Sequence, residues 1–228
     1  AGGFLALLVG ALAIRRTGIY FVMLTLAFSQ MAYFVAYTLS DWTGGDNGLL
    51  SVPRPEIRIG DTVLLSLADA RVFYGFVAVL FLLIFIGARR VIASPFGSTL
   101  MAIRENETRM VAIGFPVQRY KLVAFTIAGA MAGLSGVLLV NLNSFASPSM
   151  LQWHQSGVLM MMVILGGVGH LYGALIGATA FLLLEEILAG YTIHWQFGLG
   201  ALLLLVVLVA PNGLMSLANR KRAGEGKK

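Results

Sequence analysis

Long apolar runs alternate with short polar stretches along almost the whole chain. Most runs are about 17–22 residues long, the length at which an α-helix crosses roughly 30 Å of bilayer hydrocarbon. The pattern predicts an all-α, polytopic transmembrane helix bundle with about six complete spans. The predicted spans are Gly18–Leu39, Val72–Ala88, Leu122–Asn141, Gly157–Gly169, Tyr172–Leu188 and Phe197–Ala210.

Two of the shorter apolar runs need a separate interpretation. Gly2–Ile14 is too short to span and has no basic segment before it, so we interpret it as the second half of one truncated N-terminal span. Gly157–Gly169 is also short, and glycines join it to Tyr172–Leu188. These two runs either both cross the membrane or form a broken pair of half-helices, which is tolerated where backbone lines protein or a cavity. We expect residues 1–228 to form a single transmembrane domain.

The central polar stretch, Ser94–Lys121, predicts a helical hairpin. Ser94 and Pro95 supply an N-cap followed by proline at the first helical position. Asn106 can cap a second short helix, which the Gly114–Pro116 segment ends.

Each short helix of this hairpin has an apolar side. The apolar residues are Leu100, Met101 and Ile103 in the first helix, and Met110, Val111 and Ile113 in the second. Arg104, Glu105, Asn106 and Glu107 crowd the bend between the two helices. A hairpin of this kind fits a groove on another protein, whereas the alternative is a helix that lies on the lipid headgroups.

Composition supports a membrane protein. Hydrophobic residues make up 58% of the chain and charged residues 11%, whereas soluble proteins carry roughly 25% charged residues. The chain has no cysteine, so it has no disulfide framework.

The basic residues indicate how the spans are oriented. Of the 16 Lys and Arg residues, 13 fall in Arg15–Arg16, the central loop 89–121 and the tail 212–228, and three fall in the other loops. By the positive-inside rule, the central loop and the tail are predicted to be cytoplasmic. The net charge of +6 is therefore explained by topology and does not indicate nucleic-acid binding.

The loop Ser40–Ala70 is predicted to lie on the opposite side. Its turn-rich segment is either a plain connection or a surface that receives a substrate-delivering protein, and it consists of Gly44, Gly45, Asp46, Asn47 and Gly48. Near the end of the loop, Ser66-Leu67-Ala68-Asp69 resembles a capping box and predicts the start of the second span.

A polar stripe follows the first complete span. Thr25, Ser29, Tyr33 and Tyr37 are spaced four residues apart and share one helix face, and Gln30 lies beside them. A buried glutamine without partners costs about 2 kcal/mol or more, so this face should meet other helices or a wet path. We hypothesise that Thr25, Ser29, Gln30 and Tyr33 line a translocation path; the alternative is interhelical hydrogen bonding.

Small residues predict close helix packing at two places. Ala124, Ala128, Ala132 and Gly136 form a stripe on the third predicted span, with Gly129-x-x-x-Gly133 beside it. The spacing recurs in Gly173-x-x-x-Gly177. Such residues let helix backbones approach each other, so we interpret them as structural.

Residues for catalysis or ion coupling are missing from the pattern. The middles of the spans carry no Asp, Glu, Lys or Arg, which disfavours a proton- or sodium-coupled carrier. There is no phosphate-binding G-x-x-x-x-G-K-[ST] motif, so ATP-driven transport would need an ATPase on another polypeptide. The three histidines lack metal-ligand spacing, and no nucleophile–base arrangement is present. We therefore expect no enzymatic activity, cofactor or metal.

Several segments carry a family resemblance. They are GIYFVMLTLAFSQM (Gly18–Met31), TGGDNGL (Thr43–Leu49), Ala102–Gly136, Ile164–Ala178 and PNGL (Pro211–Leu214). In this order they resemble the permease subunits of branched-chain amino acid ABC importers of the LivM type. Members of that family continue upstream with further spans, which agrees with a truncated first run.

The resemblance implies a transport subunit in the cell inner (plasma) membrane that is not an enzyme. It implies that separate cytoplasmic ATP-binding subunits hold the central loop, at Ala102, Ile103, Arg104, Glu105, Asn106, Glu107, Arg109 and Gly114. It also implies a second homologous permease subunit, with the path between the two chains. An extracytoplasmic substrate-binding protein would meet the Gly44–Gly48 loop and deliver leucine, isoleucine or valine.

Other functions stay open at this point. An importer of the same architecture for urea or short amides fits the polar stripe equally well. A secondary carrier or channel that acts alone is disfavoured by the dockable hairpin and the charge-free spans. A membrane-embedded enzyme has the least support, because no catalytic arrangement is present.

Overall fold

The computed structural model describes residues 1–50, 56–59, 62–66, 69–169, 171–191 and 195–209. Its helices are α1 (Gly2–Ala13), α2 (Ile19–Thr38), α3 (Ser40–Thr43), α4 (Ala70–Ala93), α5 (Pro95–Glu105), α6 (Glu107–Ala112), α7 (Val117–Asn143), α8 (Trp153–Gly166), α9 (Leu171–Tyr191) and α10 (Trp195–Val209). Its strands are β1 (Leu49–Leu50), β2 (Glu56–Ile59), β3 (Thr62–Ser66) and β4 (Phe145–Ala146), and 3₁₀ turns occur at Gly45–Asn47 and Pro148–Leu151. The predicted tail 212–228 and the segment Pro211–Leu214 lie outside the described residues.

Four of the described helices are long and apolar enough to cross a membrane. They are α2, α4, α7 and α9, with 20, 24, 27 and 21 residues, and at 1.5 Å per residue each spans about 30–40 Å. Helices α1, α8 and α10 coincide with predicted apolar runs but have only 12, 14 and 15 residues. The prediction of an all-α, polytopic membrane protein is confirmed.

Two of the long helices extend beyond their apolar runs. Helix α4 continues through Arg89 and Arg90 to Ala93, because arginine is a good helix former and the chain meets its next proline only at Pro95. Helix α7 begins at Val117, directly after Pro116, and includes a polar first turn. Apolar length therefore predicted the membrane part of each helix and missed its polar extension.

The start of α4 differs from the prediction. Ser66 is the last residue of β3, and α4 begins at Ala70 with Asp69 as its N-cap residue, which makes no side-chain capping hydrogen bond. The capping-box assignment for Ser66-Leu67-Ala68-Asp69 is therefore wrong. β2 and β3 pair as an antiparallel hairpin, and this pairing places Ser66 in a strand.

The chain divides into two compact units, residues 1–152 and residues 153–228. In the first unit, α1 lies along α7 with very little space between their backbones. A Cβ atom on Gly2 would lie 3.0 Å from Gly133 Cα, and one on Gly129 would collide with Ala6. The Gly129-x-x-x-Gly133 pair thus makes the close helix contact, whereas Gly136 faces open space.

The second unit is built on an antiparallel pair of helices, α8 and α9. Gly166 packs against Gly173, and Gly177 packs against the carbonyl group of Met162, so a side chain at any of these glycines would push the two helices apart. The chain reverses direction at Gly167 and Gly169, whose φ angles are 112° and 103°. The described part of this segment is therefore two separate helices. A buried cluster of Leu165, Phe181 and Leu199 joins α10 to the pair.

Candidate functional site

The predicted hairpin is present as α5 and α6, with both predicted caps in place. The Ser94 hydroxyl accepts a hydrogen bond from the Gly97 amide at 3.4 Å, and the Asn106 side-chain oxygen accepts one from the Arg109 amide at 2.9 Å. The second helix ends before Gly114, whose φ of 86° suits glycine. The sequence therefore determined where both helices of the hairpin start and stop.

The hairpin has a small core of its own. Ile103, Met110 and Val117 are only 5%, 7% and 4% exposed and form one cluster. These residues come from α5, α6 and the first turn of α7. The cluster closes the two short helices onto the beginning of a long helix.

Further contacts fix the hairpin to its two neighbouring long helices. A side chain at Gly97 would collide with the backbone of Ile92, so the absence of one lets α5 start tightly against the end of α4. On the other side, the rings of Phe96 and Tyr120 stack with centroids 5.4 Å apart. The hairpin is therefore held against both α4 and α7.

An ion pair joins the bend to α7. The Glu107 carboxylate lies 2.7 Å from the Lys121 ammonium, and both side chains are partly exposed. This pair could not be predicted from the sequence, because no helical spacing relates two residues on different helices. Its only signal is the opposite charge of two residues that flank the Gly114–Pro116 turn.

The exposed surface of the hairpin contains both apolar and charged side chains. Three residues from the predicted apolar sides of the two helices, Met101, Val111 and Ile113, are 55%, 57% and 63% exposed. Of the predicted contact residues, Arg104, Glu105, Asn106, Arg109 and Gly114 are also exposed, Ala102 and Glu107 are half-buried, and Ile103 is buried. Exposed apolar side chains beside charged ones are typical of interaction surfaces.

The polar face of α2 is only partly engaged in hydrogen bonds. The Thr25 hydroxyl donates to the carbonyl groups of Phe21 and Val22 in its own helix. The Ser29 hydroxyl donates to the Leu151 carbonyl at 3.2 Å, which ties α2 to the Pro148–Leu151 turn. These three bonds use the hydroxyl donors of Thr25 and Ser29 within the chain.

Gln30 and Tyr33 have different surroundings from Thr25 and Ser29, whose hydroxyl groups are hydrogen-bonded. The side-chain oxygen of Gln30 is buried and has no hydrogen-bond partner among the described residues. The Tyr33 ring packs near Phe34 and Tyr37, with centroids 5.6 and 6.0 Å away. Gln30 therefore presents an unused acceptor on a face that the sequence predicts to be functional.

The glycine loop after α2 packs against the segment that follows α7. β1 and β4 pair, with Leu49 opposite Ala146, and a side chain at Gly48 would collide with the Ala146 carbonyl group. Gly45 and Gly48 are buried, Gly44 is half-buried and Asn47 is exposed, while the backbone of Asp46 lies in the same 3₁₀ turn. The glycines of this loop thus make close contacts inside the chain.

A metal site was not predicted from the histidines. Among the described residues, no group of three or more Asp, Glu or His side chains is close enough to hold a metal ion. His170 and His194 lie outside the described residues.

Comparison with known proteins finds related membrane permeases. The sequence is 27% identical to the high-affinity branched-chain amino acid transport system permease protein LivM of Salmonella typhimurium strain LT2, over 100% of this chain and 58% of that protein. It is 28% identical to LivM of Escherichia coli K12, over 95% of this chain and 55% of that protein. It is also 28% identical to the L-arabinose ABC transporter permease protein AraH of Azospirillum brasilense, over 91% of this chain and 60% of that protein.

The chain thus spans somewhat more than half the length of these relatives. No solved structure gives a significant match. The sequence model of one family, described as branched-chain amino acid transport system / permease component, matches residues 1–210. The chain therefore belongs to the branched-chain amino acid transport system permease family.

Proposed function

We propose that the chain is part of a membrane-spanning permease subunit of an ATP-driven importer for leucine, isoleucine and valine. The main support for this proposal is the hairpin of α5 and α6. It is anchored at both ends to long apolar helices and exposes a surface of mixed apolar and charged side chains. A surface of this kind on a short, fixed hairpin suits docking to a second protein.

In this proposal the partner at the hairpin is a separate cytoplasmic ATPase. Met101, Val111 and Ile113 would enter an apolar cleft, and Arg104 and Glu105 would pair with charges at its rim. ATP binding and hydrolysis would move the hairpin, and Gly97 and Tyr120 would transmit the movement to α4 and α7. This chain itself would carry out no covalent chemistry.

The substrate path is proposed to run along α2, between this chain and a second, related permease subunit. Gln30 is the best marker of the path, because its buried oxygen lacks a partner in the described part of the chain. Thr25, Ser29 and Tyr33 complete the same side of the helix. An unpaired acceptor becomes useful when a substrate ammonium, a water molecule or the second subunit donates to it.

The remaining parts of the proposal concern the two sides of the membrane. The central loop 89–121 and the tail 212–228 would be cytoplasmic parts of an inner-membrane protein. A substrate-binding protein would dock on the opposite side, near the Gly44–Gly48 loop. The tight packing of this loop suits a rigid platform for docking.

Uptake of radiolabelled leucine tests this function. The full-length transporter would be assayed in cells or proteoliposomes with and without this subunit, and competed by unlabelled isoleucine, valine, urea and L-arabinose. We expect uptake to require the subunit and to be inhibited by isoleucine and valine alone. Leucine uptake that persists without the subunit would contradict the proposal.

Sugar import is a second candidate, because the arabinose permease of Azospirillum brasilense aligns with 91% of the chain. In the same assay, subunit-dependent uptake of radiolabelled L-arabinose would support sugar import, and uptake of urea would support the amide alternative. Either result would keep an ATP-driven permease and change its substrate. Uptake in the absence of any ATPase would instead support a carrier or channel that acts alone.

A further inference from the structure

A cleft of about 490 Å³ opens where the segment linking α1 to α2 meets the hairpin and α7. Its floor is apolar and includes Phe21, Leu100 and Phe125. Arg16 and Lys121 carry its positive charges. We call this space the basic cleft.

A smaller cleft of about 200 Å³ adjoins the basic cleft and shares Ile14 with it. Arg15 and Arg119 line this second space together with the apolar side chain of Leu122. Four cationic side chains therefore line the two clefts, against one carboxylate, that of Glu107. The excess positive charge indicates an anionic ligand.

The position of the clefts narrows the class of anion. They lie at the start of α2 and α7, where two membrane-length helices change from basic to apolar sequence. Lipid headgroups occupy this depth, and basic pockets between transmembrane helices bind anionic headgroups. A free soluble anion would make no use of a floor built from Phe21 and Phe125, whereas a lipid can place its acyl chains there.

We propose that the basic cleft is a binding site for an anionic phospholipid. The phosphate group accepts charge-assisted hydrogen bonds from Arg16 and Lys121, and the acyl chains lie over Phe21 and Phe125. Glu107 already pairs with Lys121 at 2.7 Å, so the phosphate competes with this carboxylate for the same ammonium group. The site is independent of the substrate that the permease carries.

Native mass spectrometry of the purified, delipidated full-length transporter tests the site. The probe is phosphatidylglycerol, titrated in parallel with phosphatidylcholine of the same acyl chains. We expect phosphatidylglycerol to be retained more strongly, and the double variant Arg16→Gln/Lys121→Gln to weaken its retention about tenfold, because two charge-assisted hydrogen bonds are lost. The double variant Arg89→Gln/Arg90→Gln removes the same charge outside the clefts and should leave retention unchanged.

In a second pair of variants, one substitution should strengthen phosphatidylglycerol binding. Misfolding cannot imitate this result, because it would weaken binding. Glu107→Gln frees Lys121 from its competing carboxylate, so phosphatidylglycerol should bind several-fold more tightly. Glu105→Gln changes the net charge equally, but Glu105 lies outside both clefts. This variant should therefore leave phosphatidylglycerol binding unchanged.

Three outcomes would overturn the proposal. If Arg16→Gln/Lys121→Gln and Arg89→Gln/Arg90→Gln weaken phosphatidylglycerol retention equally, only the overall charge attracts the lipid. Equal retention of phosphatidylcholine and phosphatidylglycerol would exclude recognition of the anionic headgroup. Displacement of the lipid by millimolar inorganic phosphate, with no effect of acyl-chain length, would assign the cleft to a soluble anion.

Discussion

Glu105 and Glu107 lie two residues apart on the bend of the hairpin, but their surroundings differ. Glu107 is half-buried and paired with Lys121, whereas Glu105 is exposed and has no ion-pair partner in the described part of the chain. Sequence reasoning grouped the two residues as contacts to an ATPase. The structure makes Glu105 the freer of the two for a partner.

Charge reversal at Glu105 tests this distinction. Glu105→Lys should abolish ATP-driven uptake and weaken co-purification of the ATPase, because a like charge would replace an attractive one in the docked interface. Membrane insertion and thermal stability should be unchanged, since the side chain is exposed. Asp41→Lys is the matched control. Asp41 is an exposed carboxylate in α3, which follows the end of α2 that lies away from the hairpin. Normal uptake by Glu105→Lys would contradict the docking assignment.

The buried side-chain oxygen of Gln30 has no hydrogen-bond partner among the described residues. We expect cysteines at Thr25, Ser29 and Gln30, placed one at a time, to react with a water-soluble thiol reagent, because this face is proposed to line the path. Residues 1–228 contain no cysteine, and any other cysteine of the full-length protein is first replaced by serine, so each variant reports on one site. Met31→Cys on the opposite face should stay unreactive in lipid. Protection of all three path positions throughout the transport cycle would contradict the path assignment.

Short-range features of individual residues were predicted well from the sequence. The caps at Ser94 and Asn106 depend only on residues three positions away, so their local sequence determines them. The Glu107–Lys121 pair and the exposure of Val111 depend on how three helices meet. No periodic pattern in one helix contains that information.

At the scale of elements, apolar length located the membrane helices, and glycine spacing located close packing in each unit. The helix ends were less predictable, since polar helix formers extend α4 and α7 beyond their apolar runs. The strands β2 and β3 were missed because a polar loop can gain short strand pairing without a strong alternating pattern.

The glycines of α9 allow a controlled test of packing. Gly177→Ala should destabilise the protein by about 1–3 kcal/mol, because the new methyl group would collide with the Met162 carbonyl group and overpack the contact with α8. Gly190→Ala, in the same helix, places a methyl group in open space and should stabilise the protein by about 0.5–1 kcal/mol through helix propensity. Thermal unfolding of the detergent-solubilised full-length protein measures both. Equal effects of the two substitutions would contradict close packing of α8 on α9.

In the whole molecule, α7 lies between the hairpin and the strand that pairs with the glycine loop. The hairpin precedes α7, whereas β4, which pairs with the glycine loop after α2, follows it. A helix of 27 residues therefore separates the two surfaces. In the proposed assembly, surfaces on more than one chain would set the partners and the substrate, so one sequence could predict the membrane architecture but not those contacts.

The charge asymmetry predicts opposite sides for these two surfaces. Thirteen of 16 Lys and Arg residues fall in segments that are predicted to share the hairpin's side of the membrane, so Arg90 and Glu105 should face the cytoplasm and Trp42 should face outward. The experiment places single cysteines at these three positions in the full-length protein, after any other cysteine has been replaced by serine. A membrane-impermeant maleimide added to intact spheroplasts should label Trp42→Cys, which is 84% exposed, and should label Arg90→Cys and Glu105→Cys only after permeabilisation. Arg90 serves as a second cytoplasmic position, because a bound ATPase would shield Glu105. Labelling of Arg90→Cys in intact spheroplasts would reverse the orientation and would leave no cytoplasmic surface on which an ATPase could hold the hairpin.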